Sequence, residues 1–292
     1  MSPSKPLLAL ASWTARILPA PARRAIYKIK PLARFIRRGL NAAAPSGLAL
    51  TEIAAGELAG CQMMLDLHLE KDYWLGTYEA DLQQSLQHYV HPGMVAYDVG
   101  ANIGYISLML ARRTGDTGRV FSFEALPANV ARLRQNLALN ACANGVEVIS
   151  AAVVDAAHLV RFMVHASTSM GKAAGSAGRS DEKYSSEIEV PGVQLDEFVF
   201  AGARPAPDFI KMDIEGGEVL ALQGMHRILS ECQPVVFIEL HGQEAARAAW
   251  AALTSAGYQI RQMGAGEGIV ASVEELDWKA YIIGVKEKSL NR

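Results

Sequence analysis

Two short runs of this chain gather residue types that do chemistry at the end of a strand. In Val95–Tyr105, Asp98 closes an apolar stretch just before Gly100-Ala-Asn102-Ile-Gly104. Gly100 permits a turn that a side chain would obstruct, and Gly104 lets the next helix approach the strand. Asn102 can cap the first helical turn or point at a ligand. A strand, glycine turn and helix start in this order suit a nucleoside-containing cofactor laid across the helix N-terminus. Glu124 ends the following strand, about 20 residues on, where an acid accepts hydrogen bonds from ribose hydroxyls. A pyrophosphate would be disfavoured by a carboxylate at that terminus, and the run lacks a full GxGxxG. S-adenosylmethionine carries a sulfonium and an ammonium and no phosphate, so Asp98 favours it over a nicotinamide dinucleotide.

The second run is Asp208–Glu218, which contains Lys211, Asp213 and Glu215. A buried parallel strand should be nearly all apolar. Lys211 and Asp213 lie two residues apart, hence on one face, and each needs a partner if buried. The next strand ends in Glu239-Leu-His241. A neutral imidazole there could take a proton from a substrate hydroxyl. Ordinary strand-end polarity explains His241 equally well, and a bracing ion-pair cluster would explain Lys211, Asp213 and Glu215. Asp213, Glu239 and His241 could also surround a divalent metal, but their spacing is not diagnostic, and no metal is the preferred reading.

The elements that must position these groups follow from periodicity. Strands are expected near 95–99, 119–123, 146–150, 208–213 and 234–240. Helices are expected near 103–113, 127–139, 216–230 and 243–255. This alternation predicts a parallel sheet with helices on both faces. Val160–Val164, Ser186–Val190, Tyr258–Gln262 and Ala280–Val285 read as further strands, the last two as a terminal antiparallel pair. The Ser-, Gly- and Lys-rich stretch 165–185 reads as a mobile loop. Upstream, Leu65–Leu69 alternates like a strand and Glu79–Val90 has helical spacing. The domain reading is an N-terminal arm over 1–45, a lead-in cap over 46–92 and the α/β domain over 93–288.

The 292 residues carry a net charge of −2 that hides an asymmetry. Residues 1–51 hold nine Lys and Arg and no acid; the rest holds 19 basic and 30 acidic residues, or −11. The acidic body argues against nucleic-acid binding. The basic, Pro-broken arm reads either as a solvated extension or as an amphipathic segment in peripheral contact with a membrane. No apolar run reaches the roughly 20 residues needed to span a bilayer. The three cysteines, 61, 142 and 232, form no CxxC, which suits a reduced, cytoplasmic protein without structural zinc.

Asp98-Val-Gly-Ala-Asn-Ile-Gly-Tyr, Phe123-Glu-Ala-Leu-Pro127, Ile210-Lys-Met-Asp-Ile-Glu-Gly216 with Glu218, and Val236–His241 together resemble the FkbM-type methyltransferases. Gly76-Thr-Tyr78-Glu79 resembles an upstream element of that family. The resemblance spans about residues 70–245 and leaves out the arm. It implies a Rossmann-like class I methyltransferase sheet with a reversed terminal strand, and S-adenosyl-L-methionine as cofactor. By motif position Asp98, Gly100, Asn102 and Gly104 would line the cofactor and Glu124 would hold its ribose. Tyr78 and Glu79 would close over the methionine end, with Ala125 and Ala152 flanking the adenine. Ala125 stands where proline is frequent in the family.

The family is associated with O-methylation of sugars and natural products, so a hydroxyl on a sugar, glycan or small-molecule acceptor is the expected substrate. Asp213 or His241 would remove its proton, with Lys211 and Glu215 positioning the groups. The Asp213-Ile-Glu-Gly run lacks the Pro-Pro-aromatic sequence used for amino-methylation of nucleic-acid bases. The rivals are a nicotinamide-dinucleotide oxidoreductase and a non-catalytic cofactor-binding scaffold.

Overall fold

A computed structural model describes residues 5–17, 30–165, 171–173, 184–264, 266–277 and 281–286. The chain divides into two compact units, residues 1–80 with 138–140, and residues 81–137 with 141–292. The division falls at Ala80, not at the 45 and 92 boundaries expected from sequence.

In the first unit, helices α1 (Lys5–Ile17) and α2 (Lys30–Ala43) precede an antiparallel pair, β1 (Leu48–Glu52) and β2 (Gln62–Asp66). Residues 18–29 of the arm lie outside the described residues. The strand expected over Leu65–Leu69 instead ends at Asp66, whose Oδ1 accepts the His68 N–H at 2.8 Å. An aspartate bonding the backbone two residues on makes a turn that competes with the ladder. A short helix, α3 (Lys71–Trp74), follows, and α4 (Ala80–Tyr89) belongs from Asp81 onward to the second unit.

The second unit is built on a seven-stranded sheet. Its strands are β3 (Val95–Val99), β4 (Arg119–Glu124), β5 (Val146–Ser150), β10 (Phe209–Met212), β11 (Val235–Glu239), β12 (Gln259–Gln262) and β13 (Tyr281–Val285). The spatial order is β12-β13-β11-β10-β3-β4-β5, with β11 through β5 parallel. Strand β13 lies antiparallel to both β11 and β12. The order and the reversed β13 agree with the sheet that the resemblance implied. Helices α5 (Tyr105–Thr114) and α6 (Pro127–Ala138) follow β3 and β4.

A second sheet, in the order β6-β9-β7-β8, occupies the 152–193 region. It joins β6 (Ala152–Val153), β7 (Leu159–His165), β8 (Gly171–Ala173) and β9 (Tyr184–Val193). Of the loop expected over 165–185, Gly171–Ala173 is strand paired with β7, and residues 166–170 and 174–183 lie outside the described residues.

Strand alternation sends successive residues of each strand to opposite faces of the sheet. Tyr97, Phe121 and Phe123 point to one face and meet Phe198 edge-on, with ring centroids 5.3–5.9 Å apart. The Tyr97 hydroxyl, which would be costly to bury unpaired, donates to the Pro205 carbonyl at 2.7 Å. The intervening Asp98 points to the other face. The single helix expected over 216–230 is broken into α7 (Glu218–Gln223) and a separate turn over Ile228–Cys232. Gly224 marks the break: a Cβ there would lie 2.4 Å from the Val154 carbonyl oxygen. Asp196 restarts the helical path by accepting the Arg227 and Ile228 N–H groups at 2.9 Å. Helix α8 (Gln243–Ser255) follows β11.

Candidate active site

Register places Lys211 of β10, Asp98 of β3 and Ser122 of β4 side by side across three neighbouring strands. All three are buried. Ser122 donates to the Ser107 hydroxyl at 2.8 Å, and Ser107 donates to Asp98 Oδ2 at 2.6 Å. Asp98 Oδ1 makes no hydrogen bond but faces Lys211 Nζ at 3.6 Å. Burial pushes the Asp98 carboxyl up, and the Lys211 charge and Ser107 hydrogen bond pull it back.

This corrects the electrostatic argument made from sequence. Asp98 is enclosed beneath the turn, with a cation beside it, so it does not present an open negative charge to a ligand. Its carboxylate therefore does not by itself separate a cationic cofactor from a pyrophosphate.

Lys211 also donates to the Gly100 carbonyl at 3.2 Å and approaches Asp213 Oδ2 at 3.5 Å. Buried among these partners, it braces the glycine turn and sits behind Asp213. The two motifs thus form one assembly. Gly100 has φ +83°, and a Cβ on it would fall 1.9 Å from the Asp213 carbonyl oxygen. Only glycine tolerates that conformation and that approach together.

Asn102 does not cap α5. It has φ 50°, and Gly104 occupies the cap position with no side-chain cap. Its backbone N–H donates instead to Glu124 Oε2 at 2.9 Å. The second Glu124 oxygen accepts the Leu126 N–H at 2.9 Å and faces Asn129 Nδ2 at 3.4 Å. Burial raises the Glu124 carboxyl, and these backbone donors oppose the rise. Glu124 therefore shapes the glycine turn as well as standing beside it. Ala125 and Ala152 share one small apolar cluster with Leu126, Val154 and Val160.

At the carboxyl end of β10 and β11, His241 gathers four carboxylates. Its Nδ1 lies 2.9 Å from Oε1 of the buried Glu218. Its Nε2 lies 3.8 Å from Asp213, 3.6 Å from Glu215 and 3.8 Å from Glu239. Burial alone would lower the imidazole pKa. The Glu218 hydrogen bond and charge, then Asp213 and Glu215, outweigh burial and raise it to about 9. At that value the ring keeps its proton at neutral pH and is less suited to act as a neutral base. The Tyr281 hydroxyl of β13 approaches Asp213 Oδ2 at 3.5 Å.

Asp213, Glu239 and His241 each offer a ligand atom within 4.8 Å of the others. Among the described residues they form the group that could hold a divalent cation, at the cost of the imidazolium proton.

Tyr78 and Glu79 belong to the first unit. Tyr78 packs its ring 4.4 Å from that of Tyr73, and its N–H donates to the Asp72 carbonyl at 3.1 Å. Glu79 adopts φ 43°.

Ser107, Ser122, Glu218 and Tyr281 escaped the sequence reading as site residues. Ser122 carried a signal, a polar residue inside an otherwise apolar buried strand. Glu218 carried one too, in its place two residues after Gly216. Tyr281 carried none, because the pairing that brings β13 beside β11 is not local.

Three comparisons bear on relationship. A solved FkbM methyltransferase from Methylobacillus flagellatus aligns over 75% of this chain with 20% identity and a TM-score of 0.45. The chain spans about half of that protein's length, 53%. Precorrin-6y C5,15-methyltransferase from Geobacter metallireducens aligns over 70% of this chain and 86% of its own, with 16% identity and a TM-score of 0.42. Aeropyrum pernix fibrillarin, solved with natively bound S-adenosyl-L-methionine, aligns over 71% and 75%, with 11% identity and a TM-score of 0.43. A comparison with curated proteins finds no match. The methyltransferase FkbM domain matches residues 98–260, more than half of the chain, and takes in the glycine turn, Glu124, the Lys211–Glu218 run and His241. The chain belongs to the FkbM methyltransferase family.

Proposed function

We propose that this chain is an S-adenosylmethionine-dependent O-methyltransferase acting on a hydroxyl of a sugar, glycan or natural-product acceptor. The observation that carries the reading is the contact of the glycine turn with Asp213. Groups suited to a cofactor and groups suited to a proton acceptor meet at one sheet edge, at Gly100 and the Asp213 carbonyl. The residues present fit the cofactor. Gly100 lets the turn close against Asp213, the buried Asn102 Oδ1 lacks a hydrogen-bond partner, and Glu124 keeps acceptor lone pairs beside the turn.

Bound there, S-adenosylmethionine supplies an electrophilic methyl group on a sulfonium. The chain's own residues do the rest. Gly100, Asn102 and Gly104 shape the cofactor cradle, and Glu124 accepts ribose hydroxyls. Ala125 and Ala152 flank the adenine. Asp213 accepts the proton of the acceptor hydroxyl as that oxygen gains its methyl group. Lys211 behind Asp213 holds the carboxylate in place, and Glu215 borders the acceptor. His241, charged and oriented by Glu218, faces the Asp213 and Glu215 carboxylates with Nε2 and holds them around the acceptor by its charge.

Calorimetric titration of the purified chain with S-adenosylmethionine and with NAD, followed by tritiated-methyl transfer to a panel of sugars and phenols, tests this. Binding of NAD in place of S-adenosylmethionine would return the oxidoreductase reading. Cofactor binding without transfer to any hydroxyl in the panel would favour the scaffold.

A further inference from the structure

The basic arm carries an apolar stripe turned away from its own fold. Among the described side chains of α1, Ala15 is the buried one. Leu10, Trp13 and Ile17 lie at i, i+3 and i+7, on the opposite side, and are 55%, 59% and 57% exposed. An amphipathic helix that packs on a core buries its large apolar residues and exposes its small or polar ones. Helix α1 does the reverse.

The exposure is not scattered. Eight large hydrophobic residues are strongly exposed among the described residues, and six fall between Leu10 and Leu69. Leu48 and Leu50 share one face of β1, and Leu69 follows in the turn after β2. Exposed apolar groups concentrated in one unit mark an interaction surface.

Charge says what kind. The first 51 residues carry nine basic and no acidic residues, against −11 for the remainder. Arg34 and Arg38, one turn apart on α2, are exposed, and Arg16 sits on α1 beside the stripe, paired with Glu52 at 2.6 Å. Apolar insertion combined with basic side chains at one end of an acidic protein is complementary to an anionic lipid surface. No helix among the described residues is long and apolar enough to cross a membrane, so the contact lies in the interface plane.

We propose that α1 and α2 dock the protein peripherally on an anionic bilayer, with Leu10, Trp13 and Ile17 entering the headgroup layer and Arg34 and Arg38 at the lipid charges. The inference is independent of the methyl-transfer reading.

The test is flotation of the full chain with phosphatidylcholine vesicles, with and without phosphatidylglycerol. Binding is expected only with phosphatidylglycerol, weakening as salt rises. Each basic residue at such a surface contributes roughly fivefold, so Arg34→Gln with Arg38→Gln should weaken binding about thirtyfold. Trp13→Gln with Ile17→Gln should weaken it at least about tenfold, with circular dichroism and unfolding temperature unchanged because all four side chains are on the surface. No flotation of the parent chain at low salt overturns the proposal. So does equal flotation of parent and both variants. A concentration-dependent dimer abolished by the Trp13/Ile17 variant, without lipid binding by the parent, would assign the stripe to a second copy instead.

Discussion

His241→Gln is the substitution that most directly separates an imidazolium from a neutral base. The folded pKa of about 9 stands above the reference value of 6.5. The groups facing the ring are Glu218, Asp213, Glu215 and Glu239, with Lys211 behind Asp213. A raised folded pKa contributes stability that is complete below the unfolded value and lost as pH rises through the folded value. At about 1.4 kcal/mol per unit, the charged ring contributes about 3 kcal/mol near pH 6, nearly all of it gone by pH 9.5. The parent chain should therefore lose stability over this window, and the Gln variant should be nearly flat apart from titrations common to both. For a domain of this size the difference in their melting temperatures should shrink by roughly 6–12 °C between pH 6 and pH 9.5. Thermal unfolding of both proteins across that range measures it. Parallel curves would refute the charged-ring assignment, and with it Asp213 as the remaining base.

Four further outcomes follow from the same geometry. Lys211→Met strands the buried Asp98 carboxylate and should cost about 3–5 kcal/mol by chemical denaturation, and adding Asp98→Asn should recover much of it. Gly100→Ala forces a Cβ into the Asp213 carbonyl at a positive φ; it should lower the melting temperature and abolish cofactor binding by calorimetry. Glu124→Gln keeps the shape but turns an acceptor into a donor facing the Asn102 or Leu126 N–H, so affinity for S-adenosylmethionine should fall by at least about tenfold. Treatment with a chelator should leave methyl transfer unchanged, because a proton at pKa about 9 competes with any cation for His241; a loss restored by a divalent ion would place a metal on Asp213, Glu239 and His241.

What was legible in the sequence divides along physical lines. The central strands of the parallel sheet are buried and mostly apolar, so their positions could be read almost to the residue at Val95–Val99 and Val235–Glu239. Glycine and acid placements at Gly100, Gly104 and Glu124 announced the turn, because few residues tolerate such a backbone. Orientation was not legible. Asp98 was read as facing a ligand, whereas its register with Lys211 and Ser122 turns it under the turn. The same register gives Lys211 and Asp98 a bracing role. The charge state of His241 was hidden as well. It depends on Glu218, 23 residues earlier and brought within 2.9 Å only by the return of the chain through α7 and β11.

Strand β13 has a consequence for the order of assembly. It is the last of the sheet's strands in sequence order, yet it lies inside the sheet, between β11 and β12. Until residues 281–285 arrive, β11 presents the almost wholly apolar Val235–Ile238 as an open edge, and β12 has no partner in the sheet. During synthesis this leaves an adhesive edge exposed while every earlier strand of the sheet is already made. Tyr281 reaches Asp213 only at that final step. The Asp213 side of the candidate site is therefore completed after the rest of the sheet, and loss of β13 would open the sheet and remove the Tyr281 contact in the same event.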